Sequence, residues 1–318
     1  MGRPWCAAIA FARVDPGQNL NVRSTGAEVY TKAMYVAFAS VRRWNPDLDL
    51  VLVTDTPVGP EYASQFAEQG VETRLVPYAH RPPDGFTSRF SASPYQFDAM
   101  AACPTSTLFL DPDIVCVRSL APLLAAVGPD RVGALPIGYP VDHVVNGLSR
   151  RQAADLHVAL GEPAEVPIHY GGECYAIPES MRGHVLERAE TAWADSLERW
   201  QAGRPHFVTE EHVLSYALRD VEVLTLELYA KRIWTAARHR NVTGDEYALS
   251  LWHVPAEKDR GFATLYAKAV DRSSWFWTAP DDAWRRRAAR ALGILNRTPR
   301  RLARDAAGRA ARELSRMR

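Results

Sequence analysis

Along the first 120 positions the apolar residues fall into short blocks whose period changes from one block to the next. "CAAIAFARV", "LDLVLVTD" and "VETRLVPY" are short, nearly continuous apolar runs that turn polar only at their ends, as strands of a buried sheet do. Between the first two lies "AEVYTKAMYVAFASVRRW", where Tyr30, Met34, Ala37, Phe38 and Val41 share one face at helical spacing. A second helix is expected around 61–69 and a third over "PYQFDAMAACP", which leads into a strand at 107–110. "HRPPDGFTSRFSASP" is dense in Pro, Gly and Ser and reads as a loop. Such alternation predicts an α/β fold with a doubly wound sheet, whose ligands lie beyond the carboxyl ends of the strands.

Past position 128 the pattern loosens. "DRVGALPI", "HYGGECYAIP" and "ALSLWHVP" read as further strands, with helices near 151–160, 181–200 and 208–218. The composition, 47% hydrophobic and 24% charged, is that of a globular chain with a substantial core. No apolar run approaches twenty residues, so no membrane span is expected, and the apolar start of the chain runs into Arg13 as a buried strand does. Cys6, Cys103, Cys116 and Cys174 have no CxxC spacing and are expected to be buried free thiols, which fits a cytoplasmic protein.

Charge is unevenly spread. From 283 to 318 twelve arginines face only Asp305 and Glu313, a net of +10, whereas the other 282 residues hold 26 bases against 35 acids, a net of −9. In "AWRRRAARALGILNR", Trp284, Ala288, Ala291 and Leu295 lie on one helical face, with Arg286, Arg287, Arg290 and Arg297 on the other. That pattern suits either a helix in an anionic membrane interface or a helix packed on the domain. Nucleic acid is not expected, since no base-stacking or groove-reading motif accompanies the charge.

The chemistry concentrates in "TLFLDPDIVCVRSL". An apolar strand ends by placing Asp111 and Asp113 in one turn, and like charges so close repel unless a cation lies between them. Three readings compete: a polar turn, a haloacid-dehalogenase-type phosphatase with Asp111 as nucleophile and Asp113 as acid, and a glycosyltransferase whose metal bridges the diphosphate of a nucleotide sugar. A phosphatase of that type begins its core with this strand and needs a later strand-borne lysine, neither of which the order of segments provides.

The order of motifs resembles the glycogenin-like, family-eight glycosyltransferases. "VYTKAMYVAFASVRRWNPDLDLVLVTD" resembles that family's first helix and second strand, and "LFLDPDIVCVRSLAPLL" its aspartate-x-aspartate strand. "GGECYAIPES", "EEHVLS" and "HVPAEK" follow in the family's order, the last with Ala256 where the pattern has Gly. The resemblance covers roughly 5–262. It implies a type-A fold: a Rossmann-like, mostly parallel central sheet with C-terminal helices, in a single domain over 1–280. Within it 1–128 would form the nucleotide-binding half and 129–280 the acceptor and sugar half, followed by a basic helical tail over 281–318.

By the same resemblance Asp111, Asp113 and His253 would hold Mn2+ or Mg2+, and Lys258 would meet the diphosphate. Ala10, Tyr30, Asp55, Asp111, Gly171 and Gly172 would line the donor, most simply a UDP-sugar, with hexosyl transfer to an unidentified glycan, lipid-linked or small-molecule acceptor. The chain departs from the family where Glu210-Glu211 replaces Asp-Gln, where Tyr170 replaces Asn, and where "RVDPGQNLNVRSTG" is inserted before Tyr30. Glu173 adds a carboxylate where the family has an apolar residue. Glu210, Glu211 and Glu173 are therefore the candidate catalytic groups: stabilisers of positive charge on the sugar, or, for Glu211, a base for the acceptor hydroxyl that would give inversion. A degenerate member that binds a nucleotide sugar without turnover is the non-catalytic alternative. The acceptor is expected against the loops 78–93 and 138–150.

Overall fold

The computed structural model describes residues 5–13, 28–87, 89–236 and 239–295, with 303 and 306. The expected insertion at 13–26, apart from Arg13, and Arg297 lie outside these residues. At the centre, β1 (Cys6–Phe11) runs parallel to β2 (Asp49–Thr54) on one side and to β4 (Thr107–Leu110) on the other. β3 (Val71–Leu75) adds in parallel outside β2. Beyond β4 lies β7 (Tyr170–Ile177), antiparallel to β4 and to β6 (Val132–Pro136), and β8 (Val223–Thr225) closes the sheet parallel to β6. The order is β3-β2-β1-β4-β7-β6-β8, so a single reversed strand interrupts a mostly parallel sheet.

A second, three-stranded sheet was not visible as such in the hydrophobic pattern. β10 (Leu251–His253) is its middle strand, antiparallel to β5 (Ile114–Cys116) and parallel to β9 (Ala230–Arg232). Strands of three residues are too short to establish an alternation.

The helices follow from their apolar faces. α1 (Glu28–Trp44) buries Met34, Ala37, Phe38 and Val41, with Glu28 paired to Lys32 at 2.7 Å in its first turn and Arg42 and Arg43 in its last, as the helix dipole favours. α2 (Pro60–Glu68) precedes β3 and contributes Phe66 to the same core. That core also takes α4 (Ala121–Val127), the small sheet and the C-terminal helices α8 (Ala263–Ala269), α9 (Trp275–Thr278) and α10 (Asp281–Ala291). A second core gathers α3 (Tyr95–Ala102), α5 (Arg150–Ala159), α6 (Glu179–Gln201) and α7 (Glu210–Ala217). All four cysteines are free and buried, as expected.

The apolar face of α10 is covered by protein. Trp284 and Ala288 are fully buried, and the Trp284 ring stands edge-on to Trp44 at 5.6 Å and to Phe276 at 5.3 Å. Arg43 secures the junction by donating to the carbonyls of Phe276 and Trp277 at 3.0 and 2.7 Å. Of the two arrangements the pattern suits, packing on the domain is the one that takes up Trp284 and Ala288. No helix among the described residues is long and apolar enough to cross a membrane.

Candidate active site

β4 stops at Leu110, and Asp111-Pro112-Asp113 turns the chain into β5. The turn is tied on two sides, by the Asp111 N–H to the Glu173 carbonyl (2.9 Å) and by the Val254 N–H to the Asp113 carbonyl (3.0 Å). The antiparallel register of β10 sets His253 opposite Ile114, directly beside the second aspartate. One ligand atom from each of Asp111, Asp113 and His253 lies within 4.8 Å of the others. His253 Nε2 is 3.4 Å from Asp111 Oδ2 and 3.3 Å from Asp113 Oδ2. Adjacent ligands of an octahedral cation bound at about 2.1 Å stand about 3.0 Å apart, so the three atoms need little movement to share one ion.

Two carboxylate oxygens and an imidazole suit Mn2+ or Mg2+ better than a soft metal. The electrostatics agree with that fit. Crowding by protein raises the Asp111 carboxyl to about 7; His253 pulls it down, and the Asp113 and Glu173 charges push it back up. With 41% of its side chain exposed, Asp111 forms the mouth of the cluster, where a cation replacing its proton would relieve this repulsion. Asp113 is 2% exposed and its burial favours the neutral form, but Lys258 and His253 outweigh that and hold it well below the ordinary range. Burial likewise disfavours a charged His253, yet Asp113 and Glu173 raise it to about 9.

Lys258 comes from the wide helical turn Lys258–Phe262, just after β10. Its ammonium ion pairs with Asp113 and stands 5.7 Å above the Tyr30 ring, which in turn stacks on Phe11 at 5.9 Å. Tyr30 is half-buried, unlike the core residues of its face; Ala10, near the end of β1, is half-buried and packs against the second core. Asp55, at the end of β2, accepts from the Arg13 N–H at 2.9 Å and from Arg81 at 3.2 Å.

The remaining candidates meet on the other side of the Asp-Pro-Asp turn, and a β-bulge puts them there. Between the pairs Ala134↔Tyr175 and Pro136↔Tyr170, β7 uses five steps where β6 uses two. Four residues, Gly171 to Cys174, stand against Leu135 alone, and the irregularity re-aims the strand. Glu173 is consequently turned toward β10, fully buried, with Oε1 ion-paired to Arg232 and 3.5 Å from His253 Nδ1. Its Oε2 makes no hydrogen bond among the described residues. Both glycines are required by close approach: a Cβ on Gly171 would overlap Glu173 Oε2 and come within 2.8 Å of Arg232 Nη2, and one on Gly172 would overlap Glu210 Oε1.

Glu210 and Glu211 open α7, and their surroundings differ. Glu211 accepts from four donors: the Gly172 N–H (2.9 Å), Arg232 (2.9 Å), Asn146 (2.9 Å) and His169 (3.2 Å). Burial pushes its pKa up, but Arg232 and His169 dominate and hold it well below the ordinary range. Among the described residues Glu210 has no cationic partner; burial and the Glu211 charge raise it to about 8. These donors favour the ionised form of Glu211, the residue expected as a base for the acceptor hydroxyl. Arg232, His169 and Asn146 were not identified from the sequence. Asn146 alone carries a local signal, as a left-handed residue (φ 50°) followed by Gly147.

No family model and no curated protein matches the chain. Among solved structures it is similar to the galactosyltransferase LgtC in complex with donor and acceptor sugar analogs, with a TM-score of 0.51 and 15% identity over 94% of this chain and 99% of that one. A glutamine-to-glutamate active-site mutant of LgtC is similar at a TM-score of 0.50 and 16% identity, over 78% and 86% of the two chains. The fold is that of the type-A glycosyltransferases. Within the type-A fold of this chain, the Asp111–Asp113–His253 cluster stands at the carboxyl end of a central strand, where such sheets hold their ligands.

Proposed function

We propose that this chain is a metal-dependent glycosyltransferase that moves a sugar, most simply a hexose, from a nucleoside diphosphate sugar of the UDP class to an acceptor hydroxyl. The observation that carries the reading is the Asp111, Asp113 and His253 cluster at the end of β4 in a type-A fold. Asp111, Asp113 and His253 would hold Mn2+ or Mg2+, whose charge stabilises the departing diphosphate. Lys258, 7% exposed and already among these charges, adds a second cation for the same phosphates. Ala10, Tyr30 and Asp55 line the nucleotide side, in the half 1–128. Gly171 and Gly172 let the donor sugar approach the backbone of β7.

Of the two adjacent glutamates, Glu210 is the one able to exchange a proton near neutral pH, since Glu211 is saturated by donors. Glu210 therefore takes the acceptor proton, and Glu211 holds the sugar side of the site in place as an ionised group. The acceptor enters between the loops 78–93 and 138–150, in the half 129–280. The exposed Arg286, Arg287 and Arg290 of α10 suit an anionic membrane surface carrying a lipid-linked acceptor, by charge alone, because Trp284 and Ala288 are buried. The phosphatase alternative lacks its expected fold, since three strands precede β4 in the sheet and a reversed strand adjoins it.

A thermal-shift panel of UDP, GDP, CMP and buffer, each with Mn2+ or with EDTA, tests the reading. A ligand at a hundred times its Kd adds about 2.7 kcal/mol, or about 4 °C at an unfolding entropy of roughly 2.1 cal/mol/K per residue. The expected result is a Mn2+-dependent shift with one nucleotide, UDP. No shift with any of them would overturn the assignment.

A further inference from the structure

We infer that Arg232 is a positioning residue that joins the metal-binding cluster to the sugar-side carboxylates, a role resting on the metal assignment above. One guanidinium serves both: Nε pairs with Glu173 Oε1, and Nη2 lies 2.9 Å from Glu211 Oε1. Glu173 Oε1 in turn faces Nδ1 of His253, whose Nε2 points at Asp111 and Asp113. Asp111/Asp113, His253, Glu173, Arg232, Glu211 and His169 thus form one run of charged neighbours through the interior, whose loosest link is the 3.5 Å between Glu173 Oε1 and His253 Nδ1, an ion-pair contact and not a hydrogen bond. Among the described residues, Arg232 is the one lysine or arginine paired with Glu173 and Glu211, which otherwise meet only the imidazoles of His253 and His169.

Such an arrangement needs an arginine. The planar fork can present two N–H groups in different directions at once, which a lysine ammonium on a flexible stem cannot hold in the same geometry. The absence of a side chain on Gly171 leaves the space that the fork occupies, since a Cβ there would stand 2.8 Å from Nη2. A carboxylate behind a ligating histidine fixes the ring's orientation, and removing such a partner typically weakens metal affinity about 10- to 100-fold. Arg232 holds that carboxylate, so loosening Arg232 loosens His253 without touching a ligand.

The test measures Mn2+ binding, by the free-ion electron paramagnetic resonance signal, for the wild type, Arg232→Lys, Arg232→Gln and Glu173→Gln, with and without UDP. Circular dichroism confirms that each variant is folded. The expected result is a roughly 10-fold or greater loss of Mn2+ affinity in Arg232→Lys and Glu173→Gln. Arg232→Gln should be at least as weak, and if it does not fold, the lysine variant carries the comparison. Folded Arg232→Lys with wild-type Mn2+ affinity would overturn the inference and leave Arg232 as a structural ion pair. A wild type that binds no Mn2+ even with UDP would instead overturn the metal assignment itself, and the inference with it.

Discussion

Replacing Gly171 by alanine adds one methyl group at the most crowded point of the site. The backbone tolerates the change, because Gly171 is not among the left-handed glycines. The cost is steric: the new Cβ would overlap Glu173 Oε2 and stand 2.8 Å from both Arg232 Nη2 and Ile137 Cδ1. A flexible side-chain tip could ordinarily swing away, but Glu173 is fully buried and its other oxygen is held by Arg232. Overpacking of this kind costs roughly 1–3 kcal/mol, and a loosened buried ion pair adds to it, up to about 3–5 kcal/mol if the pair is broken outright. We expect a loss of about 3 kcal/mol, which lowers Tm by about 4–5 °C at roughly 2.1 cal/mol/K per residue. Gly183→Ala is the control, since the exposed Gly183 lies in α6 with nothing within 4 Å of a Cβ, and alanine there should add up to about 1 kcal/mol of helix stability. Melting curves of the two variants check the pair. A Gly171→Ala protein that melts within about a degree of the wild type would refute the packing described around Glu173.

Other perturbations separate the remaining roles. Asp113→Asn should remove the Mn2+-dependent nucleotide shift while leaving a folded chain, read by the same thermal-shift panel. Glu210→Gln should lower turnover by about 10²-fold or more with little change in nucleotide affinity, read by release of free nucleotide. Trp284→Ala should cost about 3–5 kcal/mol, because the ring is fully buried between Trp44 and Phe276, and urea unfolding would show it. His80 supplies a pH test: burial lowers its pKa, but Asp98 and Glu190, each 2.8 Å away, raise it to about 8. Its stabilising contribution is therefore complete below the ordinary imidazole value of about 6.5 and is lost as pH rises through about 8. The difference in Tm between wild type and His80→Gln should shrink from about pH 6 to about pH 9; a difference that stays constant would contradict the pairing.

The parts of the site that share a short stretch of chain were legible in the sequence. Asp111 and Asp113 stand out because an apolar run ends on them, and the strands and helices before them announce themselves by period. His253 and Lys258 were found only through the spacing of a family resemblance; nothing local in "LWHVPAEK" distinguishes a ligand from a strand-end histidine. Arg232 was not found, since it meets Glu173 across 59 positions, at a point where β7 leaves its regular register with β6. The same bulge explains why a carboxylate occupies an otherwise apolar strand. Glu210 and Glu211 look equivalent as letters and acquire opposite character from Arg232, His169 and Asn146, which come from three separate segments. The α10 periodicity correctly marked an apolar face, but a period does not say what covers it, and here the answer is Trp44 and Phe276.

The central claim is that Asp111, Asp113 and His253 hold one divalent cation for a nucleotide diphosphate. Anomalous scattering from a crystal grown with Mn2+ and UDP tests it most directly. The account predicts a manganese peak coordinated by one oxygen of each aspartate and by His253 Nε2, with Lys258 turned to the phosphates. A nucleotide bound with no manganese at that position, or manganese bound away from all three side chains, would contradict it.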